Sequence, residues 1–199
     1  MKNLLVIAAA TLLLASCSGG KKERAVRAAA GKTDFEIMSE RITANPRDAE
    51  AWYRLADLYN RSFMYHEEVD ALKKLISIRP DMGYAYMELG AAYNRLGQYR
   101  DAIENLRKAK KYFPDNPTLS NNLAVTYGRI GDIDEEITAL KRAISLRPRY
   151  ATARYNLGVV YLKKGERNEA LKQYYELKKF DEGASSSLKK EIDKIARER

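Results

Sequence analysis

The sequence predicts an all-α chain, a row of stacked helix hairpins, and three observations carry that expectation. First, the 199 residues contain only 11 Gly and 5 Pro, too few for a sandwich or barrel, which needs a turn signal about every 8 to 12 residues. Second, Pro46, Pro80, Pro114 and Pro148 stand 34 residues apart without an insertion, and the same grid carries Leu55, Leu89, Leu123 and Leu157, then Tyr59, Tyr93, Tyr127 and Tyr161. Third, positions 4, 7, 8 and 11 of each unit share one helical face, reading Trp52, Leu55, Ala56, Tyr59 in the first and Tyr86, Leu89, Gly90, Tyr93 in the second. At 45% hydrophobic and 32% charged, the composition is that of a globular chain. One Cys and one His leave no soft-ligand zinc site and no disulfide framework.

In chain order, residues 1–16 come first: Lys2 precedes an apolar stretch from Leu4 to Ala15 broken only by Thr11, the pattern of an export signal. A helix over that stretch is about 18 Å long, against a hydrocarbon core of about 30 Å, so it is too short to span a membrane. The junction Leu14-Ala15-Ser16-Cys17 resembles the bacterial lipobox. That resemblance implies that Cys17 becomes the first mature residue and carries lipid, and Ser18 after it suggests sorting to the outer membrane. Two or three acyl chains, at about 0.8 kcal/mol per buried CH₂, hold a protein to a bilayer durably.

Residues 17–32 then read as a tether, rich in Gly and Ala and carrying Lys21, Lys22, Arg24, Arg27 and Lys32 against Glu23. Removing Lys2 and the tether's net +4 from the formal +9 leaves +4 for residues 33–199. The folded part is only mildly basic.

The helical array is expected to open with a half-repeat. Thr33-Asp34-Phe35-Glu36 offers a capping box, and Phe35, Met38, Ile42 and Pro46 occupy the grid positions of a second helix. Units then run over 49–82, 83–116, 117–150 and 151–184. In each, a small residue at position 8 (Ala56, Gly90, Ala124, Gly158) permits close helix approach. Gly97, Gly131 and Gly165 end the first helix where a left-handed residue is needed, with Phe63 in that place in the first unit. The second helix carries residues such as Val69, Leu72, Leu75 and Ile76 until the proline stops it. Position 20 alternates, Ala102 and Ala170 in units two and four against Glu68 and Glu136 in one and three, which suggests looser crossings at the glutamates. The last unit has Glu182-Gly183 in place of the proline, and Ser185 to Ser187 are expected to cap a final helix over 185–199.

Trp52-x-x-Leu55-Ala56-x-x-Tyr59, then Leu72 and Pro80, at a period of 34, resembles the tetratricopeptide repeat (TPR). The resemblance covers most of the mature chain and implies a right-handed α-solenoid of about four hairpins. The energetics agree. Four or five large apolar side chains per unit contribute roughly 1.5 to 3 kcal/mol each, while ordering 34 residues costs at least about 1 kcal/mol each, so a unit needs its neighbours.

In that family the first helix of each unit lines a concave groove that takes a peptide segment of a protein partner. The resemblance therefore points to Tyr53, Asn60, Arg61, Tyr84, Met87, Asn94, Arg95, Asn122, Arg129, Tyr155, Asn156 and Lys163 as peptide-binding residues. They combine aromatic area, amide hydrogen-bonders and a cation at position 13 of every unit. The family's carboxylate clamp needs Lys and Asn at positions 5 and 9, where this chain has Tyr53 and Asp57, Met87 and Ala91, Asn121 and Val125. His66 stands at a turn beside Glu67 and Glu68. No phosphate loop, catalytic triad or metal spacing is present in the sequence, so the expectation is a non-enzymatic scaffold without cofactor, nucleic acid or small-molecule substrate. The layout resembles small repeat lipoproteins that help to assemble pilus secretins or barrel proteins. The expected place is the bacterial envelope, lipid-anchored at the outer membrane facing the periplasm, and the alternative role is an adaptor for cell-wall synthesis or hydrolysis enzymes.

Overall fold

A computed structural model describes residues 32–197, and they form ten α-helices with no strand among the described residues. Cys17, the expected export segment and nearly all of the expected tether lie outside the described residues. The half-repeat helix α1 spans Asp34–Ala44. Four hairpins follow: α2 Ala49–Arg61 with α3 Tyr65–Ile78, α4 Gly83–Arg95 with α5 Tyr99–Tyr112, α6 Pro117–Ile130 with α7 Ile133–Leu146, and α8 Ala151–Lys163 with α9 Arg167–Lys178. The final helix α10, Glu182–Arg197, packs on both α8 and α9. Each helix packs on the next without a break, making the right-handed solenoid expected from the repeat.

Local chemistry sets the boundaries. Thr33 accepts from the Glu36 N–H while the Glu36 carboxylate accepts from the Thr33 N–H at 2.9 Å, so the capping box at the start of α1 is complete. Asp48, Asn116 and Asp132 cap α2, α6 and α7, each side chain accepting from the N–H three residues on. Arg79, Phe113 and Arg147, each followed by proline, leave the helical region and end α3, α5 and α7. Prolines also tie units together: the Pro46 carbonyl accepts from the Trp52 indole and that of Pro80 from the Tyr112 hydroxyl, both at 3.0 Å.

The core runs along the row as linked apolar clusters, with Leu72, Leu75, Leu89 and Tyr93 in the first two hairpins and Leu140, Leu157, Leu177 and Leu188 on α7 to α10. Position 8 is small because a later helix of the row is already there. A Cβ on Gly90 would stand 2.6 Å from Leu106, and one on Gly158 2.5 Å from Leu188. The cap on the far end is amphipathic as expected, with Leu188 and Ile192 fully buried.

One expectation is corrected. The last helix begins at Glu182, not Ser185, because Asp181 accepts from the Ala184 N–H at 2.8 Å and so takes the capping role. Ser185 is buried inside the helix, its hydroxyl donating to the Glu182 carbonyl. The glutamates at position 20 lie inside their crossings: Glu68 is 1% exposed and Glu136 is buried.

At the first hairpin turn, Phe63 adopts φ 60°, the left-handed conformation that Gly97, Gly131 and Gly165 supply in the other units. It is the one non-Gly residue at positive φ among the described residues, and its ring is 77% exposed.

Candidate functional site

The first helices α4, α6 and α8 are joined to one another directly as well as through their partners. The Asn94 amide on α4 donates to the Thr126 hydroxyl on α6 at 2.7 Å, and the Asn156 amide on α8 donates to Asn121 on α6 at 3.3 Å. Cross-links between first helices place them on the inner side of the curve, where successive units stand nearest. Their remaining side chains form the surface available to a partner.

The structure sorts the expected groove residues into engaged and free. Asn60 donates to Glu68 at 3.0 Å, and Asn94 and Asn156 make the cross-links above, so these three amides serve the array itself. Arg61 pairs with Asp57 one turn earlier at 2.8 Å. Met87 packs against the cluster of Ile103, Leu106, Leu119 and Leu123, and Tyr155 against the last core cluster. Tyr84 is exposed on one side and packed at a tilt against Phe113 on the other, ring centroids 4.4 Å apart. Tyr53 is 39% exposed. Asn122 is half-buried, and its side chain makes no hydrogen bond among the described residues; Arg129 is exposed and has neither hydrogen bond nor ion pair among them. Beside them on α6, Val125 is exposed.

The basic row at position 13 is therefore not uniform. Arg95 reaches back to the preceding unit, its guanidinium 3.2 Å from the Glu68 carboxylate, and lies over the Tyr65 ring at 5.3 Å. Burial pushes the Glu68 carboxyl above the ordinary glutamate range, and the attraction of Arg95 opposes that only in part. Lys163 stands in the same relation to Glu136, where burial again raises the carboxyl and the lysine charge counters it from a distance. Glu136 fits because Gly128 faces it: a Cβ there would meet its carboxylate at 2.5 Å. Residues Glu68, Glu136 and Thr126 were not among the expected site residues. A signal for the glutamates does exist in the sequence, since a glutamate precedes a position-13 cation by 27 residues at Glu68/Arg95 and Glu136/Lys163, while Ala102 holds that place before Arg129.

His66 is exposed on the first turn of α3. Among the described residues no helix is long and apolar enough to cross a membrane, and no group of three or more His, Cys, Asp or Glu could hold a metal ion. An inner face of exposed aromatic, apolar and cationic side chains on rigid helices can bind an extended or helical peptide through area, hydrogen bonds and charge.

Comparison with known proteins agrees with that geometry. Family models described as TPR repeat match residues 91–131 and 129–165, and models described as tetratricopeptide repeat match 49–82 and 151–183. No curated protein matches the sequence. Among solved structures, the fold is similar to a MamA protein, with 26% identity, TM-score 0.69, covering 74% of this chain and 81% of that one. It is similar to MamA from Desulfovibrio magneticus RS-1, with 19% identity, TM-score 0.70, covering 72% and 81%. It is also similar to YrrB, described as a TPR protein with an unusual peptide-binding site, with 22% identity, TM-score 0.68, covering 77% and 80%. Proteins of this kind are in general scaffolds for protein or peptide partners. On its repeats and its architecture alike, this chain belongs to the tetratricopeptide repeat family.

Proposed function

We propose that the protein is a lipid-anchored scaffold of the bacterial cell envelope that holds a segment of a protein partner in its concave groove, in the assembly of an envelope complex such as a pilus secretin or barrel-assembly machine. The observation that carries the groove reading is the free set on α6: Asn122, Val125 and Arg129 project from one rigid helix, and their side chains have no hydrogen bond or ion pair among the described residues. The amides of Asn60, Asn94 and Asn156 already donate within the array, whereas these three side chains are available to a ligand. The sequence Leu14-Ala15-Ser16-Cys17 supports the anchor, and the basic tether of residues 17–32 allows a reach of roughly 20 Å from the membrane.

The test is isolation from membranes in detergent. The wild-type chain is expected to co-purify with a secretin or barrel subunit, Val125→Asp with Arg129→Glu to remain folded and lose it, and Cys17→Ala to leave the membrane fraction. Recovery of a cell-wall synthase or hydrolase instead would replace the assembly role with the adaptor role, and undiminished capture by the double variant would move the binding surface off α6.

A further inference from the structure

The groove is acidic at one end, and that end has the form of a receptor for a single side chain. A cavity of about 110 Å³ opens where α2, α3 and α4 meet, lined by Tyr53, Asp57 and Asn60 of α2, Glu68 and Leu72 of α3, and Glu88 of α4. Three carboxylates line it. Two have cations from the chain: Arg61 on Asp57 at 2.8 Å and Arg95 on Glu68 at 3.2 Å. Glu88 has no hydrogen bond or ion pair among the described residues, although it is half-buried. Its burial raises its carboxyl above the usual range, with the Arg95 charge acting against that rise only at a distance. The cavity is thus one positive charge short of balance.

We infer that this cavity receives a lysine or arginine side chain from the partner segment, its cationic head placed against Glu88. This inference rests on the groove reading and names the chemistry of the occupant. The other walls suit such a side chain. Ala56 and Leu72 line the cavity and give it an apolar part for a methylene stem, since long cationic side chains lay the stem on apolar groups while the head stays polar. Tyr53, 39% exposed, presents an aromatic ring to a cation. A cavity this size holds several waters, which the incoming head displaces and replaces with charge-assisted hydrogen bonds. An acidic side chain is excluded, because it would add a fourth negative charge to a partly desolvated site. With Arg129 free on α6, the groove prefers a segment whose basic residue lies toward α2, and the polarity of the groove thereby orders the peptide along it.

The experiment is selection from a random peptide library on the full mature chain in detergent micelles, followed by affinity measurement on the selected sequences. The expected result is enrichment of lysine or arginine at one fixed position, and a loss of about tenfold in affinity when that residue is replaced by norleucine or citrulline, which keep the aliphatic stem and remove the charge. Glu88→Gln, a substitution of the same shape, is expected to abolish the enrichment, and Tyr53→Ala to weaken it, while Arg129→Glu leaves it in place. Selected peptides without a basic position, or equal affinity of wild type and Glu88→Gln for the basic peptide, overturn the inference and leave the groove reading standing. Failure to select any peptide overturns the groove reading itself. Thermal melting of each variant separates loss of binding from loss of fold, and Asp57→Asn offers a second carboxylate variant if Glu88→Gln melts early.

Discussion

Units one and three bury a glutamate at the same point of the hairpin, and they accommodate it by different means. Glu68 is held by bonds: Asn60 donates to it from its own hairpin and Arg95 reaches it from the next. Glu136 is held by space, since the residue equivalent to Asn60 is Gly128, which leaves room for its carboxylate, and the equivalent of Arg95 is Lys163, which acts on it from further away. The difference follows from the donor. A planar guanidinium with several donors can bridge two helices and still touch both carboxylate oxygens, while an ammonium on a flexible stem is as well solvated outside. A buried carboxylate at the junction of units one and two is thus an element of stacking, and at the junction of three and four it is a tolerated charge.

The sharpest break of that comparison is Arg95→Ala against Lys163→Ala. Removing Arg95 strands Glu68, and since the arginine is itself a third exposed, the expected loss is about 2 kcal/mol, below that for a fully buried pair. Lys163→Ala is expected to lose less than about 0.5 kcal/mol. Urea unfolding of both variants measures this, and equal losses would erase the distinction between the two junctions.

Next in size is Glu136→Gln. Because burial raises the Glu136 carboxyl in the folded state, the folded protein binds that proton more readily than the unfolded chain does. Stability is therefore full below the ordinary glutamate range and falls as pH rises through the raised value. Replacing the carboxylate by an amide is expected to stabilise the protein by about 1 kcal/mol at neutral pH and to flatten that part of the profile, whereas Glu68→Gln forfeits the charge on which Arg95 acts. Unfolding followed from pH 4 to pH 8 checks the sign: a Glu136→Gln variant that is weaker than wild type at pH 7 would contradict the account of Glu136 as a tolerated charge.

The smallest effect is expected at the turns. Phe63→Gly relieves a left-handed conformation that costs an ordinary residue roughly 1 to 2 kcal/mol, but the glycine also gains freedom in the unfolded chain. The net expectation is a gain of about 0.5 kcal/mol, read as a rise in melting temperature. A fall would mean that the edge-on contact of Phe63 with Tyr65, ring centroids 6.3 Å apart, matters more than backbone strain.

The row of hairpins was legible because its signals are local and recur. Proline bars its predecessor from the helix, so Pro80, Pro114 and Pro148 mark three helix ends, and the first helices begin at Ala49, Gly83, Pro117 and Ala151 as the 34-residue grid predicts. The start of α10 was misplaced because two groups competed for one role. Three serines look like caps, but Asp181 stands closer to the end of α9 and a carboxylate is the stronger acceptor near a helix N-terminus. The inner face was less legible still. Asn94 finds its partner 32 residues away and Asn156 finds its own 35 away, pairings that depend on how units lean together and not on any spacing within one. For the same reason Glu68, which reads as a surface charge on its own helix, is among the most completely buried side chains described.

Position 13 is basic in all four hairpins, although only two of them follow a glutamate. Every hairpin can therefore succeed any other with a cation placed near the seam. Duplication, deletion or exchange of whole modules would be electrostatically safe, so that the length of the array could change during evolution before its stacking had to be reinvented.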